Sequence, residues 1–101
     1  MAKAAIRFAE SALTDLEAIR TCYAEQGVPD IGERFVEEIV DRVEALRSHP
    51  EMGRIVPEFN QPFLRELIYP PFRIVYRHDP KHVQIVCVWR SERLLALPED
   101  D

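Results

Sequence analysis

The spacing of apolar residues in the first quarter of the chain predicts a short strand followed by an amphipathic helix. Residues 4–9 alternate between apolar and other side chains, which is typical of a strand. Over residues 11–26, apolar side chains recur at steps of three and four, as they do on one face of a helix. Ser11 is placed to cap the start of this helix, and Gly27 is placed to end it. The predicted apolar stripe consists of Leu13, Leu16, Ile19 and Tyr23.

A second amphipathic helix is predicted over residues 31–48. Asp30 precedes it as a candidate N-cap, and the pair His49-Pro50 follows its end. Two such helices with a short connection form an antiparallel hairpin, which must lay its apolar stripes on another apolar surface. The stripe of this helix consists of Ile31, Phe35, Val36, Ile39, Val40, Val43 and Leu46.

The second half of the chain predicts a loop and then three strands. Residues 50–62 carry three prolines, one glycine and one asparagine, so we expect a loop there. Period-two alternation then predicts strands over residues 63–69, 72–78 and 82–90. The last of these strands has few polar side chains on either face, so we expect it inside the sheet. The order β-α-α-β-β-β predicts an α+β fold with a helix hairpin packed on a twisted antiparallel sheet.

Length and composition indicate one globular domain over residues 1–101. The chain is 47% hydrophobic and 31% charged, which is the balance of a folded rather than a disordered protein. No apolar run approaches the about 20 residues that span a bilayer, and the N-terminus lacks a signal-peptide core, so we expect a cytoplasmic protein without membrane contact. Cys22 and Cys87 have no histidines at ligand spacing, so we expect two buried free thiols, no metal and no cofactor.

Charge is distributed unevenly along the chain. The formal net charge of −5 argues against generic nucleic-acid binding. Residues 1–51 account for −5 and residues 52–98 for +3, and the three acids at the end of the chain return the total to −5. Eleven of the 13 basic residues are arginine, whose planar guanidinium suits bidentate contacts with phosphate or carboxylate. We therefore expect the contacts to any anionic partner in the second half.

Arginines on the predicted strands are the main candidates for chemistry, because no nucleophile, phosphate-loop or metalloprotease motif is present. Arg73 and Arg77 share one face of their strand, and we expect Arg65 on the neighbouring strand to join them. Such a surface suits phosphate or the carboxylates of an acidic partner helix. The alternative is that each arginine pairs with an internal acid such as Glu58, Glu66 or Glu92. We expect the three histidines at the surface and most aromatic residues in the core.

Between Met52 and Leu95 several elements occur in a distinctive order and spacing. They are Gly53-Arg54 with Val56-Pro57-Glu58, then Arg65-Glu66-Leu67, then Phe72-Arg73-Ile74-Val75-Tyr76-Arg77, and a final strand followed by Arg93. This half of the chain resembles the RelE/ParE superfamily of bacterial toxins, which belong to type II toxin–antitoxin systems. The first half fits in its strand and two helices, so the resemblance covers about residues 4–95. It implies two helices on a twisted antiparallel sheet, and a cognate antitoxin that wraps and neutralises the toxin.

The resemblance implies one of two activities. RelE-like members enter the ribosomal A site and cut mRNA with basic and aromatic residues, whereas ParE-like members poison DNA gyrase by stabilising its cleaved complex with DNA and catalyse nothing. Three departures from the RNase pattern favour the ParE-like activity: the acidic net charge, Arg90 where many relatives carry histidine, and an acidic tail without histidine or tyrosine. An inactive toxin-fold protein that serves as a binding module is the third alternative.

The resemblance and the residue pattern together give three sets of expected site residues. For binding the antitoxin we expect Leu13, Leu16, Ile19, Tyr23, Arg65, Arg73 and Arg77, with Phe35 and Ile39 as further apolar anchors. For binding DNA gyrase we expect Trp89, Arg90, Arg93, Leu94 and Leu95. If the protein is instead an mRNA endonuclease acting on the ribosome, we expect Arg54, Arg65, Arg73, Arg77 and Arg90 at its active site.

Overall fold

In the computed structural model, residues 3–90 are described, and they form two helices packed against one face of a five-stranded sheet. The elements are β1 (Ala5–Phe8), α1 (Glu10–Glu25), α2 (Pro29–Glu44), β2 (Arg54–Ile55), β3 (Leu64–Tyr69), β4 (Phe72–His78) and β5 (His82–Arg90), with a 3-10 turn at Ala45–Arg47 after α2. The α+β class and the succession of a strand, a helix hairpin and a strand meander are confirmed. Within residues 3–90, no helix is long and apolar enough to cross a bilayer.

The sheet is mixed rather than wholly antiparallel. Its strand order is β1-β5-β4-β3-β2, and β1 runs parallel to β5 while the other neighbours are antiparallel. The alternation in β1 determines which side chains face the core but not the direction of the strand, so the expected antiparallel sheet is wrong at this edge. β2 lies in the segment expected to be a loop, and its two residues are too few to show a period-two pattern. As expected, β5 lies inside the sheet.

Neither helix begins with the side-chain cap that the sequence suggested. α1 begins at Glu10, so Ser11 lies inside its first turn, where the hydroxyl donates a hydrogen bond to the carbonyl oxygen of Val86 on β5. α2 begins at Pro29, whose fixed φ and missing N–H suit the first helical position, and Asp30 follows inside the first turn. The sequence therefore predicted the first residue of each helix one or two positions too late.

Gly27 ends α1 as the sequence indicates. Its φ of +83° lies in the left-handed region that favours glycine. Its N–H donates to the carbonyl oxygen of Ala24, and the N–H of Val28 donates to that of Tyr23, which is the hydrogen-bond pattern of a Schellman C-cap. The chain can therefore reverse within three residues and start α2 antiparallel to α1.

The main core fills the space between the helix hairpin and the sheet. Leu13, which was expected in the buried stripe of α1, is instead 51% exposed, because Ala12 occupies the inward position one residue earlier. Helical residues of this core are Ala12, Leu16, Ile19, Val36, Ile39, Val43 and Leu46. Sheet residues are Leu67, Phe72, Ile74, Tyr76, Val83, Ile85 and Val88. Tyr23 and Phe35 pack at the edge of this core with ring centroids 5.4 Å apart.

A smaller apolar cluster lies on the sheet face that the helices leave uncovered, which we call the open face. It consists of Val56, Leu64, Val75, Val86 and Cys87, with Phe59 and Trp89 packed against it. A register shift between Val75 and Tyr76 places Val75 opposite Cys87 and Tyr76 opposite Ile85.

Cys87 is buried as expected, but Cys22 is exposed, because the buried line of α1 passes through Ile19 and not through Cys22.

Candidate functional site

Two arginines and two glutamates form a connected ion-pair cluster on the open face. Glu66 of β3 is 1% exposed, and its two carboxylate oxygens accept hydrogen bonds of 2.6 Å from Arg54 Nε and Arg73 Nε. The two terminal nitrogens of Arg73 each donate to one oxygen of Glu58 at 3.0 Å. Arg73 is therefore held between two carboxylates and is only 7% exposed.

Strand register explains this assembly. Glu66 lies opposite Val75 of β4 and opposite Arg54 of β2, and Arg73 is two residues from Val75 and shares its face. Hydrogen bonding to Glu58, and then to Glu66, raises the pKa of Arg73, and the same contact with Arg73 lowers the pKa of Glu58. The alternative that arginines pair with internal acids is thus confirmed for Arg54 and Arg73.

Arg65 lies on the opposite face of the sheet, so the expectation that it joins Arg73 and Arg77 is wrong. Its partner across the β3–β4 ladder is Tyr76, which packs in the core beneath the helices. The guanidinium of Arg65 donates mainly to backbone carbonyl groups and thereby fastens the loop before β2 to the sheet. Its acceptors are the carbonyl oxygens of Gly53, Pro62 and Glu51 at 3.0, 3.1 and 3.3 Å, and His78 Nε2 at 3.2 Å.

Tyr76 fastens the same loop from inside the core. Its hydroxyl donates to the carbonyl oxygen of Pro50 at 2.8 Å and accepts from the N–H of Gly53 at 2.9 Å. A Cβ on Gly53 would lie 2.7 Å from that hydroxyl and 2.6 Å from the carbonyl oxygen of Glu66, so this close approach requires glycine. Burial raises the pKa of Tyr76, which keeps the phenol protonated and in a structural role.

Of the three arginines expected to share a surface, Arg65, Arg73 and Arg77, only Arg77 is exposed on the open face. Gln84 of β5 lies beside it, and Arg7 of β1 lies on the other side of Gln84. These three side chains form a row across three neighbouring strands, which we call the arginine row. Arg7 was not singled out from the sequence, because its proximity to Arg77 depends on the parallel pairing of β1 with β5.

The apolar residues expected to bind the antitoxin differ in their accessibility. Leu16 and Ile19 are buried in the core, whereas Leu13 is exposed and Tyr23 is half-buried. The Tyr23 hydroxyl accepts a hydrogen bond of 3.2 Å from Arg90. The structure therefore brings together a residue expected to bind the antitoxin and one expected to bind gyrase. Phe35 packs edge-on against Phe72, and Ile39 is fully buried, so both serve the core.

The residues expected to bind gyrase are divided between the two faces of β5. Trp89 packs on the open face against the smaller apolar cluster, and Arg90 lies on the helix side, 5.8 Å above the ring of Phe72. Arg93, Leu94 and Leu95 lie outside the described residues.

A large cleft lies at the end of the sheet where β3 begins and β4 ends. It has a volume of about 840 Å³, and its walls include Met52, Phe63 and Arg65 together with His49 and His78. We call it the Phe63 cleft. Two of the three histidines therefore line one cleft, although their sequence positions gave no reason to expect this. Among residues 3–90, no group of three His, Cys, Asp or Glu side chains is placed to hold a metal ion.

The five arginines expected for an RNase site do not converge. Arg54 and Arg73 belong to the ion-pair cluster, Arg65 lies on the helix face, and Arg77 and Arg90 lie towards opposite ends of the sheet. The arrangement offers anion-binding capacity at the arginine row, whose cleft is also lined by His78 and His82, and apolar contact at the Phe63 cleft.

Solved structures of toxin–antitoxin systems contain chains with this architecture. The chain is similar to one in "Chromosomal ParDE TA system from P. aeruginosa", with a TM-score of 0.73 and 27% identity over 87% of this chain and 96% of that one. It also shares the fold of a chain in a RelBE2 toxin–antitoxin complex from Mycobacterium tuberculosis, with a TM-score of 0.63 and 20% identity over 87% and 98% of the two chains.

The sequence itself identifies the family. The family described as the ParE toxin of type II toxin-antitoxin system, parDE, matches residues 6–95, and the chain belongs to it. No curated protein matched the chain. The ParE-like member of the RelE/ParE superfamily that the sequence elements indicated is therefore confirmed.

Proposed function

We propose that this ParE-type toxin inhibits DNA gyrase by stabilising its cleaved complex with DNA, and that a cognate antitoxin neutralises it. Membership of the ParE family supports the gyrase target, since ParE-like toxins are the gyrase poisons of the superfamily. The observation that carries the choice against mRNA cleavage is the state of Arg73. This guanidinium is buried and engaged by two carboxylates, so it has little capacity left for a substrate phosphate.

Electrostatics on the open face support this choice. A phosphate brought to Arg73 would meet Glu58 and Glu66 at the same guanidinium, and the repulsion would be strong in a site that excludes water. The tyrosines within the described strands offer no replacement, because Tyr76 is buried and protonated and the ring of Tyr69 lies 4.1 Å from the Arg42 guanidinium. A gyrase poison needs no catalytic group, so the engagement of Arg73 by two carboxylates is compatible with that activity.

Neutralisation by an antitoxin is supported by the kind of complexes to which the fold is similar. Both similar structures are described as toxin–antitoxin systems or complexes. On α1, Leu13 presents an exposed apolar side chain and Tyr23 a half-buried ring, and we assign both as contacts for the antitoxin. We assign Trp89 and Arg90, with Arg93, Leu94 and Leu95 beyond the described residues, to the contact with gyrase.

The experiment that tests this proposal follows macromolecular synthesis in cells after the chain is induced without its antitoxin. Thymidine and leucine incorporation are measured in parallel over the first minutes. We expect thymidine incorporation to fall first, because gyrase supports replication. An early collapse of leucine incorporation would instead identify translation as the target, and the absence of any growth effect would indicate an inactive binding module. Co-induction of the antitoxin is the control and should restore both rates.

A further inference from the structure

Two of the most exposed apolar side chains among the described residues lie in the Phe63 cleft. Met52 is 54% exposed and Phe63 is 50% exposed. They are two of the five exposed large apolar side chains within residues 3–90. Scattered apolar side chains are ordinary on a protein surface, but a pair within one large cleft is typical of a binding site.

The arginine row lies next to this cleft on the open face. Neighbouring strands are about 4.8 Å apart, so the backbones of Arg7 and Arg77 lie roughly 10 Å apart with Gln84 between them. Neither arginine forms an ion pair with another residue of the 3–90 range. In contrast, Arg54 and Arg73 on the same face are engaged by Glu58 and Glu66. The row therefore retains two cations that can bind an external anion.

The Phe63 cleft and the arginine row form one continuous surface. A second cleft, of about 330 Å³, runs between Arg7, Gln84 and Arg77, and it shares Phe63, His78 and Asp79 with the larger cleft. The surface thus passes from an apolar part around Met52 and Phe63 to a basic part at the arginine row. A ligand that fills both parts of this surface must carry a bulky apolar group and, a few residues further along its chain, negatively charged groups.

We propose that this surface docks a segment of the neutralising antitoxin in which a bulky apolar side chain is followed by acidic residues. The apolar side chain enters the Phe63 cleft, and the carboxylates reach Arg77 and Arg7. This inference rests on the proposed function, because it assigns a part of the toxin surface to the antitoxin of that proposal. It differs from the contact at Leu13 and Tyr23 of α1, because the arginine row lies on the open face and not on the helix side of the sheet.

A protein segment fits this surface better than a nucleic acid does. The net charge of −5 repels a long polyanion, whereas a short segment with two or three carboxylates responds mainly to the local cations. Nucleic-acid backbones also have no aliphatic group to occupy the space beside Met52. The guanidinium of Arg65 in the cleft wall is engaged with backbone carbonyl oxygens, so it shapes the cleft instead of acting as a free phosphate ligand.

The test measures binding of the purified antitoxin to the full-length toxin and its variants at low and at high salt. The variant R7Q/R77Q removes both cations of the arginine row, and F63S removes the aromatic wall of the Phe63 cleft. The matched controls are R34Q, at an exposed arginine of α2, and V28S, at an exposed apolar residue between the helices. Circular dichroism spectra of all the variants establish that each is folded.

We expect R7Q/R77Q to bind the antitoxin about tenfold more weakly at low salt, because the variant loses the contributions of two exposed ion pairs to the binding free energy. At about 1 M salt, where the screening length is about 3 Å, this difference should disappear. F63S should weaken binding about tenfold at either salt concentration, as expected for loss of an aromatic anchor. R34Q and V28S should bind like the wild type.

Three outcomes would overturn the inference. If the wild type binds but R7Q/R77Q and F63S bind equally well, the antitoxin docks elsewhere and only this inference fails. If R34Q weakens binding as much as R7Q/R77Q does, net charge and not the arginine row is responsible. If the row instead binds a single-stranded oligonucleotide and contributes nothing to antitoxin binding, the assigned partner is wrong. Failure of the wild type to bind any antitoxin would remove both this inference and the neutralisation part of the proposed function.

Discussion

Arg73 and Glu66 form an ion pair of 2.6 Å between neighbouring strands of the sheet, at a place where water is nearly excluded. The side chain of Glu66 is fully buried, and its second oxygen is engaged by Arg54. Removal of one partner from such a pair leaves an uncompensated charge in a region of low dielectric constant. The cluster therefore makes the open face rigid and at the same time neutralises its most central cation.

Replacement of Glu66 by glutamine should destabilise the fold. The substitution removes the negative charge between two guanidinium groups, and we expect the free energy of unfolding to fall by about 3 kcal/mol, as for other buried ion pairs that lose one member. Urea denaturation measures the difference. The matched control is E38Q, which breaks the exposed pair of Glu38 and Arg42 and should cost less than about 1 kcal/mol. Equal effects of E66Q and E38Q would contradict the structural role of the cluster.

The contact between Glu58 and Arg73 should make stability depend on acidic pH. Because Arg73 lowers the pKa of Glu58 in the folded state, the stabilisation is present above the ordinary value of 4.5 and is lost as the pH falls through the lower folded-state value. The variant E58Q should therefore lose less stability than the wild type as the pH is lowered below 4.5. Thermal unfolding at a series of pH values measures this. E37Q, which removes a carboxylate that does not contact Arg73, should follow the wild type.

Replacement of Tyr76 by phenylalanine should loosen the loop that precedes β2. The variant leaves the N–H of Gly53 and the carbonyl oxygen of Pro50 without their buried partner, at a cost of about 1–3 kcal/mol in the free energy of unfolding. Urea denaturation and amide hydrogen exchange of Gly53 report the change. Y69F is the matched control, because the Tyr69 hydroxyl makes no hydrogen bond within residues 3–90. A fully protected Gly53 amide in Y76F would contradict this account.

The two cysteines should differ in reactivity in the folded protein. Cys22 is exposed on α1, whereas burial raises the pKa of Cys87 to about 12 and removes its thiolate at neutral pH. A thiol reagent should therefore modify one cysteine under native conditions and both in denaturant. C22S should abolish the native reaction, and C87S should leave it unchanged. Rapid native modification of C22S would show that Cys87 is accessible.

Much of the fold could be predicted because periodicity records which side of an element faces the core. The bounds of β4 and β5 follow from their alternating side chains, and the joint between the helices follows from Gly27. The register shift opposite Val75 was not predicted, and it puts Cys87 on the face opposite to Ile85. The direction of β1 could not be predicted, since the alternation of Ile6 and Phe8 is the same for parallel and antiparallel pairing. The two-residue β2 carried no pattern at all.

The candidate site was predicted less completely because it depends on register. The sequence places Arg73 and Arg77 on one face but cannot tell that Arg65 lies opposite Tyr76, and a register shift of one residue would reverse its face. Arg7 is far from Arg77 in sequence and joins it only through the pairing of β1 and β5. The sequence could not determine whether Arg73 pairs with acidic residues, because Glu58 lies in a loop whose path the sequence does not define.

The measurement that tests the central claim most directly adds the purified toxin to two reconstituted systems. One contains DNA gyrase, ATP and relaxed plasmid, and the other contains ribosomes translating a defined mRNA. We predict that the toxin blocks supercoiling and accumulates plasmid cleaved by gyrase, while the mRNA stays intact, and that addition of the antitoxin reverses the block. Cleavage of the mRNA in the ribosomal A site, with normal supercoiling, would contradict the account and would require Arg73 to be released from Glu58 and Glu66 on the ribosome.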